Sequence, residues 1–378
     1  MFYNFYGGSI EIKNQYKKFL IMKVYIKFLI LNFFKSFFYT SLVFLGLVFI
    51  LNILTEIEFF NKLDVKAYLP LYISMLNSPS LLFEIFPFVF LISTQFFFIN
   101  LFRDNQLQIF KYSGLKNSKI IMIISATALT IGFFIVFIFY TFSSNLKNIY
   151  LEIKNNYTTD DKYLAVITNN GLWIKDTNDG LTNIIHASEI DGKFLVDTFI
   201  SQFDKKFEVK KHIQAEKIDI SKNEWILYKA KIFQNNSSEK KDALEIYSNF
   251  DYEKIQSLFS NLSSLSLFEL FELKDNYNLL NYSTTEVAIE IHKIISYPVY
   301  LLLMTILSSI IMFNTKNFKS TTFKVSIGLF LSVVIYYVNN FFMVMGKTEG
   351  ISILSSVWLP LFFFAVINSI LSLKLNEK

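Results

Sequence analysis

The 378-residue chain contains no cysteine. That absence removes disulfides, iron–sulfur clusters, thiolate metal sites and cysteine nucleophiles together. Histidine is almost as scarce. His186, His212 and His292 stand far apart in sequence, whereas a metal centre needs several convergent ligands, so they read as isolated surface or loop residues. No GxxxxGK[ST] loop occurs, so the chain is not expected to hydrolyse ATP by itself. Ser113 precedes Gly114 but lacks the GxSxG frame of a nucleophile elbow. Asp160 and Asp161 lie in a polar linker and read as solvated charge. These gaps argue for a non-catalytic protein with no metal and no cofactor. Arg103 is the only arginine and lysine carries the other positive charges, a pattern that fits AT-rich codon usage better than a chemical device. The net charge of +5 does not signal nucleic-acid binding. Proline is limited to five residues, so helix breaks are local.

What the chain has in abundance is apolar sequence. Hydrophobic residues make up 53% of it, 44 of them phenylalanine, and the mean hydropathy is +0.39, too apolar for a soluble protein of this length. Six runs stand out: Ser36–Leu54, Leu81–Phe102, Ile120–Phe142, Ile294–Phe313, Phe323–Met345 and Ile351–Leu373. Each is roughly 20 residues long, and ~20 helical residues at ~1.5 Å each cross the ~30 Å hydrocarbon core of a bilayer. The fold class that follows is an α-helical membrane protein with six transmembrane helices, three and three, around an inserted all-β domain. The expected division is an N-terminal extension with an amphipathic helix (1–35), spans one to three (36–142), the β domain (143–286), and spans four to six with a short tail (287–378).

Charge sets the expected orientation, because short loops rich in Lys and Arg stay in the cytoplasm. The N-terminal segment (Lys13, Lys17, Lys18, Lys23, Lys27, Lys35), the loop after span two (Arg103, Lys111, Lys116, Lys119), the loop after span four (Lys316, Lys319) and the tail (Lys374, Lys378) are basic. The alternate loops are balanced or acidic. Both termini are therefore expected in the cytoplasm and the insert on the opposite face. The start resembles a signal peptide in charge, but no small-residue cleavage site follows. Met22 opens an ordinary beginning for such a protein, residues 1–21 read as an upstream extension, and Lys23–Lys35 suggests a basic helix lying on the inner surface.

In the insert, Lys162–Thr168, the turn Asn169-Asn170-Gly171 and Leu172–Asp176 form a hairpin signal. Asn183–Ala187, Phe194–Phe203, Phe207–Ile220, Glu224–Phe233 and Ala243–Phe250 are further strand candidates, spaced as in a sandwich or open barrel. Leu265–Lys274 and Thr285–His292 take on helical periodicity before span four.

Two places carry candidate function. Polar residues within spans are Glu84, near the outer end of span two and close to Pro87, the pair Asn339-Asn340 and Asn368; their plainest role is hydrogen bonding between helices. The loop 103–119 is the other. Leu107, Ile109, Phe110 and Leu115 make an apolar stripe at near-helical spacing, Asp104 or Asn105 suits the helix start, and Gly114 suits its end. Such a helix docks in a partner's groove or lies on the lipid surface, and the sequence leaves both open.

At this point a resemblance becomes specific. From about Met22 onward the chain resembles the lipopolysaccharide export permeases of the LptF/LptG (YjgP/YjgQ) family. The likeness rests on the three-plus-three layout with a β-rich insert, the loop step Tyr112-Ser113-Gly114-Leu115, and Lys293–Pro298 at the head of span four. The run Gly171–Asp176 is most like the LptG half of the family. The resemblance implies an ATP-driven exporter in the bacterial inner membrane. Two paralogous permeases, here paired with an LptF, enclose a lipid cavity. An LptB-type ATPase dimer drives them, and a periplasmic β-jellyroll passes lipopolysaccharide to LptC and LptA. It further implies that Arg103, Asp104, Asn105, Gln106, Leu107, Phe110, Ser113, Gly114 and Leu115 form the coupling helix seated in the ATPase. Two departures are visible. Gln106 stands where the family commonly has Glu, so no charge-assisted pair forms there. The outer end of span one also lacks the family's lysines, leaving Lys62, Lys66 and Glu84 as candidate lipid contacts and a substrate with fewer phosphates as the expectation. The rival readings are another ABC-type lipid or lipoprotein exporter, which usually has four spans, and a stand-alone transporter, which calls for mid-span acids or broken helices.

Overall fold

A long apolar segment with few breakers folds as a helix because each backbone N–H and C=O then finds its partner within the segment. The computed structural model describes residues 5–61, 63, 65–157, 172–178, 181–234, 237–252, 255, 261–280, 282–315 and 320–376, without the side chains of 5–23, 177, 279–280 and 374–376. Lys62, Asp160, Asp161, the strand expected at 162–168 with its 169–171 turn, Lys316, Lys319 and Lys378 lie outside the described residues. The helices are α1 (Phe5–Phe60), α2 (Leu69–Arg103), α3 (Gln106–Tyr112), α4 (Asn117–Phe134), α5 (Thr141–Asn155), α6 (Leu267–Leu280), α7 (Thr285–Asn314), α8 (Thr321–Lys347) and α9 (Ile353–Asn376). A π-helical stretch, Ile135–Tyr140, joins α4 to α5 without a break. Among the described residues six helical segments are long and apolar enough to cross a membrane: Val24–Phe60, Leu69–Arg103, Asn117–Asn155, Thr285–Asn314, Thr321–Lys347 and Ile353–Leu373. The chain divides into two units, Met1–Ser143 with His292–Lys378, and Ser144–Ile291.

In the helical unit, α2 and α7 form the centre. Of their most apolar windows 72% is buried, against 17% for α1 and 11% for α8. Phe83 stacks on Tyr297 at 4.5 Å near one end, and Phe98 meets Phe313 edge-on at 5.0 Å near the other, so α2 and α7 run parallel. Between them the Ser308 hydroxyl donates to the Leu91 carbonyl at 2.8 Å. The Gln95 amide donates to the Lys324 carbonyl at 2.9 Å, and Phe88 lies 5.9 Å from Tyr336, which sets α8 antiparallel to α2. Asn368 of α9 donates to the Leu303 carbonyl at 3.0 Å, the interhelical bond expected of it. Such bonds contribute about 0.6 kcal/mol each in a membrane, so close packing carries the assembly. Leu91, Ile92, Met304, Leu307, Leu361 and Phe364 belong to that packed core. At Gly132 a Cβ would lie 3.0 Å from the Pro298 Cα, so glycine there lets α4 approach α7.

Two expectations about the spans change. The basic segment 23–35 is not a separate surface helix. Between Val24 and Phe60 the only glycine is Gly46 and there is no proline, so nothing interrupts α1. Span two likewise begins at Leu69, not Leu81. Its added turns hold Ser74, Asn77, Ser78 and Ser80, which lowered the apparent hydropathy yet are buried. The Ser74 and Ser78 hydroxyls donate to the Pro70 and Ser74 carbonyls (both 2.6 Å), Asn52 Nδ2 donates to the Ser74 carbonyl (3.1 Å), and Asn77 Nδ2 donates to Asn52 Oδ1 (3.2 Å). Glu84 therefore sits well inside α2.

The second unit is built on one six-stranded antiparallel sheet in sequential order: β1 (Leu172–Asn178), β2 (Leu181–Asp191), β3 (Phe194–Phe203), β4 (Val209–Asp219), β5 (Glu224–Gln234) and β6 (Ser237–Tyr247). Ile174, Ile185, Ala187, Leu195, Ile200, Ile213, Ala215, Ile218, Trp225 and Leu227 are buried against the sheet. Among the described residues the strands follow one another in the sheet as a meander. β6 starts six residues before the expected Ala243, at exposed Ser237. Its polar half is a strand because it pairs with β5, as in Phe233 with Ser238 and Ile232 with Glu239, and pairing outweighs weak local propensity. Asp176 is buried and accepts from the Asn249 backbone N–H (3.2 Å) and Nδ2 (2.8 Å), tying β1 to the segment after β6. The Trp225 indole donates to the Phe250 carbonyl at 2.6 Å.

Candidate functional site

The loop between the second and third spans folds into a short helix stopped by its own sequence. α3 starts after Asn105, whose φ of 54° lies in the left-handed region that Asn tolerates. Neither Asp104 nor Asn105 caps it through a side chain. Asp104 instead accepts long bonds from Arg103 Nε and Gln106 Nε2, both 3.4 Å. The exposed Arg103–Asp104 pair contributes little. At the other end Gly114 has φ +77°, its N–H donates to the Lys111 carbonyl (2.9 Å), and the Leu115 N–H donates to the Phe110 carbonyl (2.9 Å). This is a Schellman stop, and it requires a residue free to take positive φ where Gly114 stands. The Ser113 hydroxyl turns back to the Ile109 carbonyl at 2.9 Å.

The helix presents a different face from the stripe read in the sequence. Leu107 is buried in its own chain, and Phe110 packs edge-on against Phe28 of α1 at 5.9 Å. Ile109 and Tyr112 point outward, 61% and 89% exposed. Leu107 and Phe110 thus hold the loop to the bundle, while Ile109, Tyr112 and Gln108 are its free surface. Beside it opens a groove of about 1100 Å³, walled by Val24, Tyr25 and Phe28 on one side and by Ile109, Leu115 and Met122 on the other. Lys119 Nζ lies 6.0 Å from the Tyr25 ring, a cation–π contact at the groove.

The other candidates do not converge. Lys66 is exposed in the turn before α2, with Nζ 5.9 Å from the Tyr68 ring, and Glu84 lies about 22 Å further along α2 counted from Leu69. Glu84 opens instead onto a cavity of about 240 Å³ among α2, α7, α8 and α9, shared with Lys293, Tyr300, Tyr336, Asn339 and Asn340. The local signal for this set was the i, i+3, i+4 spacing of Tyr336, Asn339 and Asn340, which puts them on one face of α8. That this face meets Glu84 is a fact of tertiary packing.

The histidines prove less isolated than they read. His186 packs on Trp173 with ring centroids 4.3 Å apart, and His212 lies 3.0 Å from the Ser201 hydroxyl and stacks with Phe199 at 5.4 Å. Among the described residues no cluster of His, Asp or Glu could hold a metal ion. Outside the spans, burial pushes the Tyr277 and Tyr282 phenols above their ordinary range, with the Glu286 carboxylate adding to the effect on Tyr277. Hydrogen bonds from Ser221, with Lys193 assisting, pull the Asp219 carboxyl below its usual value. Neither effect is at the loop or the cavity.

A family model described as lipopolysaccharide export system permease LptF/LptG matches residues 27–374. No curated protein matches the chain.

Proposed function

The chain belongs to the LptF/LptG family of lipopolysaccharide export permeases, and from that premise we propose that it is the transmembrane subunit of an ATP-driven exporter that lifts lipopolysaccharide out of the inner membrane. The observation that carries the reading is the family match over 27–374 on a chain with six membrane-length helices and a separate β unit inserted between the third and the fourth. In this reading a paralogous permease completes the lipid cavity, and the Gly171–Asp176 run assigns this chain to the LptG side. The largely unburied faces of α1 and α8 support a second permease and lipid as their partners. Both termini and α3 face the cytoplasm, and the sheet faces the periplasm, where it hands lipid to LptC and LptA.

Coupling follows from the loop's geometry. An LptB-type ATPase dimer seats Ile109, Tyr112 and the polar edge from Arg103 to Gln106. Phe110, anchored on Phe28, carries the displacement into α1. For ATP to drive transport, the ATPase must bind the two permease states with different affinity. Gln106 makes the docking neutral where a carboxylate would pair with a basic groove. Lipid contacts at the outer end are assigned to Lys62 and Lys66. With so few cations there, the exported lipid is expected to carry fewer phosphates. The test is purification of the protein from its native membrane in mild detergent, with mass spectrometry of the proteins and lipids retained. Recovery of a six-span paralogue, a soluble ATPase and lipopolysaccharide establishes the reading. Recovery without ATPase or glycolipid removes it.

A further inference from the structure

The cavity beside Glu84 has features of a built site. Glu84 lies about 28 Å along α2 from Arg103, and Lys293 about 31 Å along α7 from Asn314, counting ~1.5 Å per residue. α2 and α7 run parallel, so both residues sit nearly one hydrocarbon thickness from the end of the bundle that carries α3. That is the depth of lipid headgroups. Among the described residues Glu84 has no hydrogen bond or ion pair. The Tyr300 hydroxyl is enclosed, and within bonding geometry it has no hydrogen-bond partner among the described residues. An ionisable group within a spanning helix is costly and marks a functional site by default. An orphaned buried hydroxyl costs about 1–3 kcal/mol. Both costs are relieved by a ligand that supplies donors to Glu84 and acceptors to Tyr300.

The charges define that ligand. One wall offers a carboxylate, the other the Lys293 ammonium, with phenol and carboxamide groups of Tyr300, Tyr336, Asn339 and Asn340 between them. A purely anionic headgroup leaves Glu84 unpaired, and a quaternary ammonium cannot donate to it. We propose that the cavity binds a phosphoethanolamine headgroup, its primary ammonium donating to Glu84 and its phosphate accepting from Lys293 and Tyr300. On the orientation proposed above, the ligand is then a resident lipid of the outer leaflet held at the side of the bundle. Its binding does not depend on the export role.

Native mass spectrometry of the full-length protein in its native assembly provides the test, with equal amounts of phosphatidylethanolamine, phosphatidylglycerol and phosphatidylcholine in the micelles. The wild type should retain phosphatidylethanolamine about tenfold over the other two, the ratio expected for one charge-assisted hydrogen bond. E84Q should reduce the preference to near unity. Y300F, which removes only the enclosed hydroxyl, should weaken it and carries the test if E84Q is not recovered. Competition by soluble O-phosphoethanolamine would place recognition in the headgroup alone; retention undisturbed by it would assign the membrane-held lipid. Equal retention of the three lipids, or a preference unchanged in both variants, overturns the proposal. Failure of export would show instead in the loss of ATPase and lipopolysaccharide from the purified assembly, with lipid selectivity unaffected.

Discussion

Gly328 and Gly46 are both helical glycines in apolar surroundings, yet their environments are opposite. A Cβ at Gly328 would fall 2.2 Å from Gln95 Nε2 and 2.8 Å from Leu91 Cδ2, against the bond that Gln95 makes to the Lys324 carbonyl. Gly328→Ala should therefore cost about 1–3 kcal/mol through forced displacement of Gln95. At Gly46 nothing lies within 4 Å, and Gly46→Ala should be neutral or stabilise by up to about 1 kcal/mol through helix propensity. The unfolding midpoint in detergent should fall for Gly328→Ala and stay level or rise for Gly46→Ala. Asp176 was legible only as the end of a strand; the structure makes it an anchor for Asn249. Asp176→Ala should lower stability of the β unit by about 2–3 kcal/mol, because the Asn249 donors are left unmatched. Limited proteolysis should cut that unit sooner, with the helical unit intact.

At the scale of elements, α3 depends on its stop. Gly114→Ala puts a Cβ on a residue with φ +77°, at a cost of about 1–2 kcal/mol, and should fray the last turn. Hydrogen exchange at the Ser113, Gly114 and Leu115 amides should quicken while exchange in α2 stays slow. The end of α6 holds a second expectation. Tyr277 and Tyr282 meet edge-on at 5.7 Å, with their phenols held above the ordinary range first by burial. A raised folded-state value means that the protonated phenol is favoured by the fold. Its stabilising effect is complete below the unfolded value near 10 and is lost as pH rises through the folded value. Absorbance titration at alkaline pH should show late-ionising tyrosines that disappear from the curve in Y277F and Y282F. The helices and strands themselves were largely readable: β3 runs Phe194–Phe203 as expected, and each apolar run is a helix. The polar halves of α2 and β6 were not, because their structure comes from partners, the Asn52 bonds in one case and β5 in the other.

For the molecule as a whole, the missing cysteines become a tool, since any introduced thiol is the only one. Tyr112 and Lys222 are both exposed, one on the loop helix and the other between β4 and β5. Tyr112→Cys should stay unlabelled by a membrane-impermeant maleimide until the cells are permeabilised, and Lys222→Cys should label at once. The opposite pattern would invert the proposed orientation. The uneven burial of the spans belongs to this scale too. A bundle that buries α2 and α7 but leaves α1 and α8 open has its surplus apolar surface on two particular helices, where a paired permease and its lipid would cover it.

The amino-acid sequence alone determined the class of this protein. Length and continuity of apolar runs dictate membrane spans, alternation dictates strands, and a Gly after a short amphipathic stretch dictates a helix stop, all through interactions between near neighbours in the chain. Tertiary structure alone decided that Leu107 and Phe110 turn inward, that Leu69–Ser80 with its three serines and Asn77 extends the second span, and that Glu84 shares a cavity with Lys293 and Tyr300. The reason is range. Those outcomes rest on partners more than 20 residues away, such as Phe28 with Phe110 or Asn52 with Asn77, and the local pattern of hydrophobicity carries no information on which distant face a side chain will meet.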